Sequence, residues 1–199
     1  MNWFPLRDEM TTARAGFGRK TAVATAAPTP AFTHSRREIE SDTARPPVAD
    51  YRRDRSERDR ADATISAMKL IECVPNFSEG RDRAVIDAIV AEIAATAGAM
   101  IMDVDPGAAT NRTVVTFIGE PEAVEEAAFR AIRKAAATID MARHTGEHPR
   151  MGATDVCPFV PVSGATMEDC VAVAGRLGKR VGDELGIPVY LYEFAATRP

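Results

Sequence analysis

Beyond Met68 the chain switches repeatedly between two hydrophobic periods, the two-residue alternation of a pleated strand and the three- and four-residue steps of a helix. A short apolar run through Leu70, Ile71, Cys73 and Val74, ended by Pro75 and Asn76, predicts a first strand. Val85, Ile86, Ile89, Val90, Ile93 and Ala97 then share one helical stripe, which Gly98 closes. Ala99 to Val104 reads as a second strand, Asp105-Pro106-Gly107 as a turn, and Arg112 to Ile118 as a third strand. Pro121 opens a long helix whose stripe is Val124, Ala128, Ala131, Ile132, Ala135 and Ile139. A polar, Gly/Pro-bearing stretch from His144 to Ala153 leads to a strand over Val156 to Val162. Thr166 and Asp169 have capping-box spacing before the stripe Cys170, Val173, Ala174, Leu177, Val181 and Leu185. Gly186 and Pro188 stop that helix, and Pro188 to Tyr192 is a last strand. The predicted order is strand, helix, strand, strand, helix, strand, then one more helix and strand. That order gives an α+β fold, a ferredoxin-like split βαβ sandwich with an added helix and strand.

Before Met68 the pattern stops. Residues 1–67 hold five Leu, Ile or Val, too few to build a core. They carry twelve basic and ten acidic residues, many in the mixed run from Arg52 to Arg60. The acid-free stretch from Met10 to Arg37 has a transit-peptide-like composition, while Ala22 to Ala27 is too short and too weakly apolar for a secretory core. The expectation is a disordered or spurious N-terminal extension over 1–67, with one folded unit over 68–199 whose start is Met68.

The totals exclude several classes of function. At 199 residues and 21.5 kDa the chain has room for one ordinary domain or two very small ones. No apolar run approaches the roughly 18 to 20 residues that cross a bilayer, so no membrane partner is expected. A net charge of −4 and 6% aromatic residues supply neither the basic field nor the stacking platforms of a nucleic-acid binder. Cys73, Cys157 and Cys170 are odd in number and lack CxxC spacing, which suits a reducing cytoplasm better than a disulfide framework or a zinc knuckle. Cys73 and Cys170 lie in apolar stripes and read as packed thiols, and Cys157 has no cationic activator beside it.

The stretch His144-Thr145-Gly146-Glu147-His148-Pro149-Arg150-Met151-Gly152-Ala153-Thr154-Asp155 holds more special side chains than a connection requires. His144 and His148 are four apart, a metal-ligand spacing on a helix, but Gly146 and Pro149 oppose a helix through both. A histidine beside Glu147 and Arg150 suits a general acid or base, because imidazole titrates near neutrality; a surface histidine in a turn is the plain alternative. A second polar cluster, Asp103, Asp105, Asn111, Arg112 and Thr113, is either turn chemistry with Asn111 as its cap or part of a site. Asn76, Ser78 and Glu79 form a third cluster, in which Ser78 has the position of a helix N-cap.

Several of these stretches together resemble the formiminotransferases of histidine breakdown: residues 72–80 (ECVPNFSEG), 103–105 (DVD), 111–114 (NRTV), 146–153 (GEHPRMGA), 155–159 (DVCPF) and 189–192 (VYLY). The matches run in order over Met68 to Ala196 and are absent from the tail. The resemblance implies a transferase that moves a formimino group from N-formimino-L-glutamate to N5 of tetrahydrofolate, with tetrahydrofolate as co-substrate and no metal. It implies that His148 is the catalytic acid and base and that Asp105 assists it. Asn76, Asn111, Arg112, Arg150 and Gly152 are the expected substrate contacts, Arg150 through the fit of a guanidinium to a glutamate carboxylate. The family's transferase unit has two subdomains with folate in the groove between them, and this sequence corresponds to the first. The expected partners of the site are therefore the two small-molecule substrates and either a second copy or a second subdomain to complete the cleft. A non-catalytic folate-binding piece, or a fragment without a complete cleft, is the alternative.

Overall fold

The computed structural model describes residues 21–25, 68–147 and 150–198. Its elements are β1 Thr21–Thr25, β2 Leu70–Cys73, β3 Asn76–Phe77, α1 Arg83–Ala94, β4 Ala99–Gly107, β5 Arg112–Gly119, α2 Pro121–Thr138, β6 Thr154–Ser163, α3 Met167–Leu185 and β7 Val189–Tyr192, with a 3-10 turn at Glu193–Ala195. No helix among the described residues is long and apolar enough to cross a membrane.

Local chemistry sets the helix ends. Asp82 caps α1 by accepting from the Ala84 and Val85 amides, Pro121 stands in the first turn of α2, and Thr166 and Asp169 form a reciprocal capping box on α3. Gly186 ends α3 with φ near 65°, in the left-handed region that a residue with a Cβ enters at a cost.

The strands form one mixed sheet in the order β4, β5, β2 with β3, β6, β1, β7. β2 and β3 are two pieces of one line broken at Val74 and Pro75, and the break stays paired: Val74 N donates to Pro158 O and Val115 N donates to Pro75 O. From β4 through β6 every neighbour is antiparallel, the strand order of a ferredoxin-like βαββαβ unit. Beyond β6 the sheet turns parallel, with β1 and β7 running alongside it.

One sheet face is closed by the helices. Ile71, Cys73, Phe77, Val115, Phe117, Cys157 and Phe159 are buried there against Ile89 and Ile93 of α1, Phe129 and Ile132 of α2, and Leu177 and Val181 of α3. Ion pairs lace the helix layer together: Glu92 of α1 meets Arg130 and Lys134 of α2, and Arg180 of α3 meets Glu126 while its guanidinium lies 3.6 Å from the Phe129 ring centre. The intervening strand residues Glu72, Asn76, Arg112, Val114, Thr116, Ile118, Val156, Pro158 and Val160 point to the other face, where they stay half-exposed. No described helix lies over that face.

Four sequence expectations change. Asp105, Pro106 and Gly107 continue β4 and pair with β5 through Val114, Thr113 and Arg112; the bend comes later, at residues 108–111, with Asn111 at φ 50°. Ser78 does not cap α1: its hydroxyl donates to Gly152 O at 2.7 Å, and Asp82 takes the cap four residues on. The helix predicted to run to Gly98 ends at Ala94, and Gly98 instead takes φ 83° on entering β4. β1 lies inside the stretch set aside as tail, where five residues with Val23 as their one large apolar side chain carry no periodic signal. The other residues of 1–67 lie outside the described residues.

Candidate active site

In an antiparallel ladder the ends of alternate strands meet, and here the carboxyl ends of β3 and β4 and the amino ends of β5 and β6 share one end of the sheet. The loop at residues 78–82, the bend at 108–111 and the connecting residues 144–147 and 150–153 therefore gather at that end. They bring together the three polar clusters of the sequence.

Asn111 joins all three segments. Its left-handed backbone is one that Asn tolerates better than most residues, and it turns the side chain inward, where the residue is 6% exposed. Asn111 Oδ1 accepts from Gly80 N at 2.9 Å; Nδ2 donates to Thr145 O at 2.9 Å and faces His144 Nδ1 at 3.3 Å. Ser78 adds a second tie, through its hydroxyl to Gly152 O and its amide to Ala153 O at 2.9 Å. Arg150 is a third: its guanidinium donates to Thr110 O at 2.7 Å and to Asn111 O at 3.4 Å. Arg81 docks on the same bend through Nε to Ala108 O at 2.9 Å. Gly80 and Gly146 lie so close to this bend that a Cβ on either would strike backbone, at Gly107 O and Arg112 N for Gly80 and at Thr110 O for Gly146.

His144 is half-buried, and its pKa is held below the ordinary histidine value by burial first and then by the Arg150 charge; Glu79 opposes them, and Arg81 adds a weaker push in the same direction as Arg150. With Nδ1 accepting from the Asn111 amide, the ring proton of neutral His144 resides on Nε2, which is buried near the Ser78 carbonyl without a hydrogen bond of ordinary geometry. Burial and the neighbouring Arg112 and Arg81 likewise lower Arg150, while Asp155 opposes them. The buried Asp155 accepts from Met151 N at 2.7 Å and so fixes the last residues before β6.

The expected site residues divide by place. Asp105, Val114, Asn76 and Val156 form one cross-strand row on the helix-free face, which puts Asp105 and Asn76 two strands, or about 10 Å, apart. Arg112 shares that face one pleat nearer the bend. Asp105 is exposed, and the Asn76 amide donates to Val74 O at 3.1 Å. Gly152 is buried and its carbonyl is used by Ser78. Arg150 and Asn111 are in the loop framework itself. His148 and Pro149 lie outside the described residues; Glu147 on one side is exposed and Arg150 on the other is half-buried.

The framework roles of Ser78 and Asn111 went unseen in the sequence, because a short polar side chain before a helix or after a turn has a local role available to it. The one available signal was Asn111 itself, a residue tolerant of φ > 0 standing directly before a strand. Chemically, the arrangement offers a rigid backbone cradle, a cationic rim of Arg81, Arg112 and Arg150, and an exposed carboxylate on the adjoining sheet face.

Residues 70–199 match the formiminotransferase domain, N-terminal subdomain. The chain is 59% identical over 128 residues to a formimidoyltransferase-cyclodeaminase of Sus scrofa, covering 64% of this chain and 24% of that protein. It is 60% identical over 130 residues to the protein of the same name in Gallus gallus, covering 65% and 24%. It is 54% identical over 132 residues to a glutamate formimidoyltransferase of Thermoplasma acidophilum, covering 66% and 44%. The chain thus spans between a quarter and a half of the length of these relatives.

Proposed function

Since the chain belongs to the formiminotransferase domain family, as its N-terminal subdomain, we propose that it carries the proton-transferring residues of a transferase that moves the formimino group of N-formimino-L-glutamate to N5 of tetrahydrofolate. The observation that carries this reading is the cradle at the sheet end, in which Asn111, Ser78 and Arg150 hold both flanks of the Gly146–Ala153 segment.

In the proposed reaction N5 of tetrahydrofolate attacks the formimino carbon, forming a new C–N bond and a tetrahedral adduct. N5 loses a proton as it attacks, and His148 accepts it. The bond from that carbon to the glutamate nitrogen then breaks, and His148 returns the proton to the leaving amine. Glutamate and 5-formiminotetrahydrofolate result, with the histidine restored, so one group near neutrality serves both halves of the reaction. Asp105 assists by orienting the imidazole, as a carboxylate does in other acid/base pairs. Arg112 and Arg150 favour the substrate carboxylates, Asn76 lines the approach along the helix-free face, and Gly152 contributes through the loop backbone that Ser78 holds. Asn111 serves the site through the loops it ties, since its amide is engaged by Gly80, Thr145 and His144. A reducing cytoplasm is the proposed setting.

The test is glutamate release from N-formimino-L-glutamate with tetrahydrofolate, by the full chain and by His148→Ala. Turnover that falls at least about 100-fold in a variant with unchanged circular dichroism supports the assignment. Equal turnover in both refutes it. The alternative reading is a folate-binding module without turnover. Saturable tetrahydrofolate binding without glutamate release from either protein selects that reading.

A further inference from the structure

β6 and β7 are successive parallel strands joined by α3, yet they do not pair with each other. β1 lies between them and runs parallel to both, with Ala22 opposite Val156 and Tyr190, and Ala24 opposite Pro158 and Tyr192. The crossover therefore leaves a slot one strand wide, about 10 Å from β6 to β7. Its two walls present backbone donors and acceptors in the interior of the sheet, where unpaired groups are costly. Both walls, with α3, fall within the family match that starts at residue 70, and β1 falls outside it. The slot is thus a property of the subdomain, whereas its occupant is not.

We infer that the position between β6 and β7 is a strand-acceptor site, which takes an extended segment parallel to β6 and which this chain fills with its own residues 21–25. Recognition is by main-chain hydrogen bonds on both sides, the mode of strand addition, here at an internal position instead of an edge. The register also selects residues: the position of Val23 falls between the buried Cys157 and the half-buried Leu191, which calls for an apolar residue. The parallel direction fixes where an occupant enters, at the end where β6 begins after Gly152 and Ala153. Such an occupant would deliver its preceding residues to the same sheet end as the 144–153 segment. This inference stands without the proposed chemistry.

The test uses the full chain with Ala22→Pro/Val23→Pro, since neighbouring residues of an internal strand direct their N–H groups to opposite partners. Hydrogen exchange at residues 156–159 and 189–192 should quicken at least about tenfold while residues 112–118 stay protected. A peptide of residues 17–29 should restore the protection saturably, and a scrambled peptide should not. Unchanged exchange in the variant, or no rescue by the peptide, overturns the inference. Should the variant unfold, Ala22→Cys/Val156→Cys reads the same register in a chain free of proline: an intrachain crosslink under mild oxidation supports it. No crosslink refutes the register, and a crosslinked dimer assigns the slot to a second copy.

Discussion

Asn111 and His144 show how hydrogen bonds and neighbouring charge hold a polar loop cluster in one shape. The Asn111 amide keeps His144 Nδ1 as an acceptor, and the ring is surrounded by burial and by guanidinium charge. The folded ring therefore binds its proton less tightly than the ordinary value of 6.5 that applies to the unfolded chain. Its contribution to stability is fully present above that value, is lost as pH falls through it, and levels off below the depressed folded pKa. Urea midpoints at pH 7.5 and 5.5 should thus fall further for the parent than for His144→Gln, which carries no titrating ring; an equal fall in both would refute this coupling. The buried thiols behave in the opposite sense. Desolvation raises Cys73, whose sulfur lies 3.5 Å from that of Cys157, and raises Cys170 to about 11, so Cys73 and Cys170 stay protonated and inert at neutral pH.

Among the elements, α3 is the most completely written in the sequence. Its stripe, its capping box and its terminal glycine are all local signals, and all three appear where they were read. Thr166→Ala removes the acceptor for the Asp169 amide and should cost about 1 kcal/mol, measured as a lowered thermal midpoint with an unchanged helix signal in circular dichroism. The β4–β5 hairpin was less legible. Asp105-Pro106-Gly107 has the composition of a turn, but pairing with Arg112, Thr113 and Val114 outweighs that preference, and Pro106 is tolerated because β4 is an edge strand. Ser78 was misread for a related reason: local spacing proposes a cap, whereas its actual partner is Gly152, far along the chain. Local rules thus located helices and strands well, and they missed the ties that close the site.

For the molecule as a whole, the sheet is two-faced, and the faces should answer differently to mutation. Phe117 is fully buried against the helices, so Phe117→Ala should cost about 3–5 kcal/mol in denaturant unfolding. Ile118, next along β5, faces the helix-free side and is half-exposed, so Ile118→Thr should cost well under half as much as Phe117→Ala. Equal losses would mean that the second face is as closely packed as the first. The alternation itself was plain in the sequence; that one face would lack a helix was not, since period two reports only that the sides differ.

The distance along the chain between Ser78 and its partner has a consequence for how the protein is made. The two ends of that hydrogen bond are 74 residues apart. At the ordinary elongation rate of about 5–20 residues per second, Ser78 leaves the peptidyl-transfer centre roughly 4–15 s before Gly152 is added. Over that interval the first helix, β4, β5 and the second helix are added in turn, and β6, the strand that pairs with β2 and β3 along their other side, comes only after all of them. Until β6 is made, that flank of β2 and β3 is without its antiparallel partner.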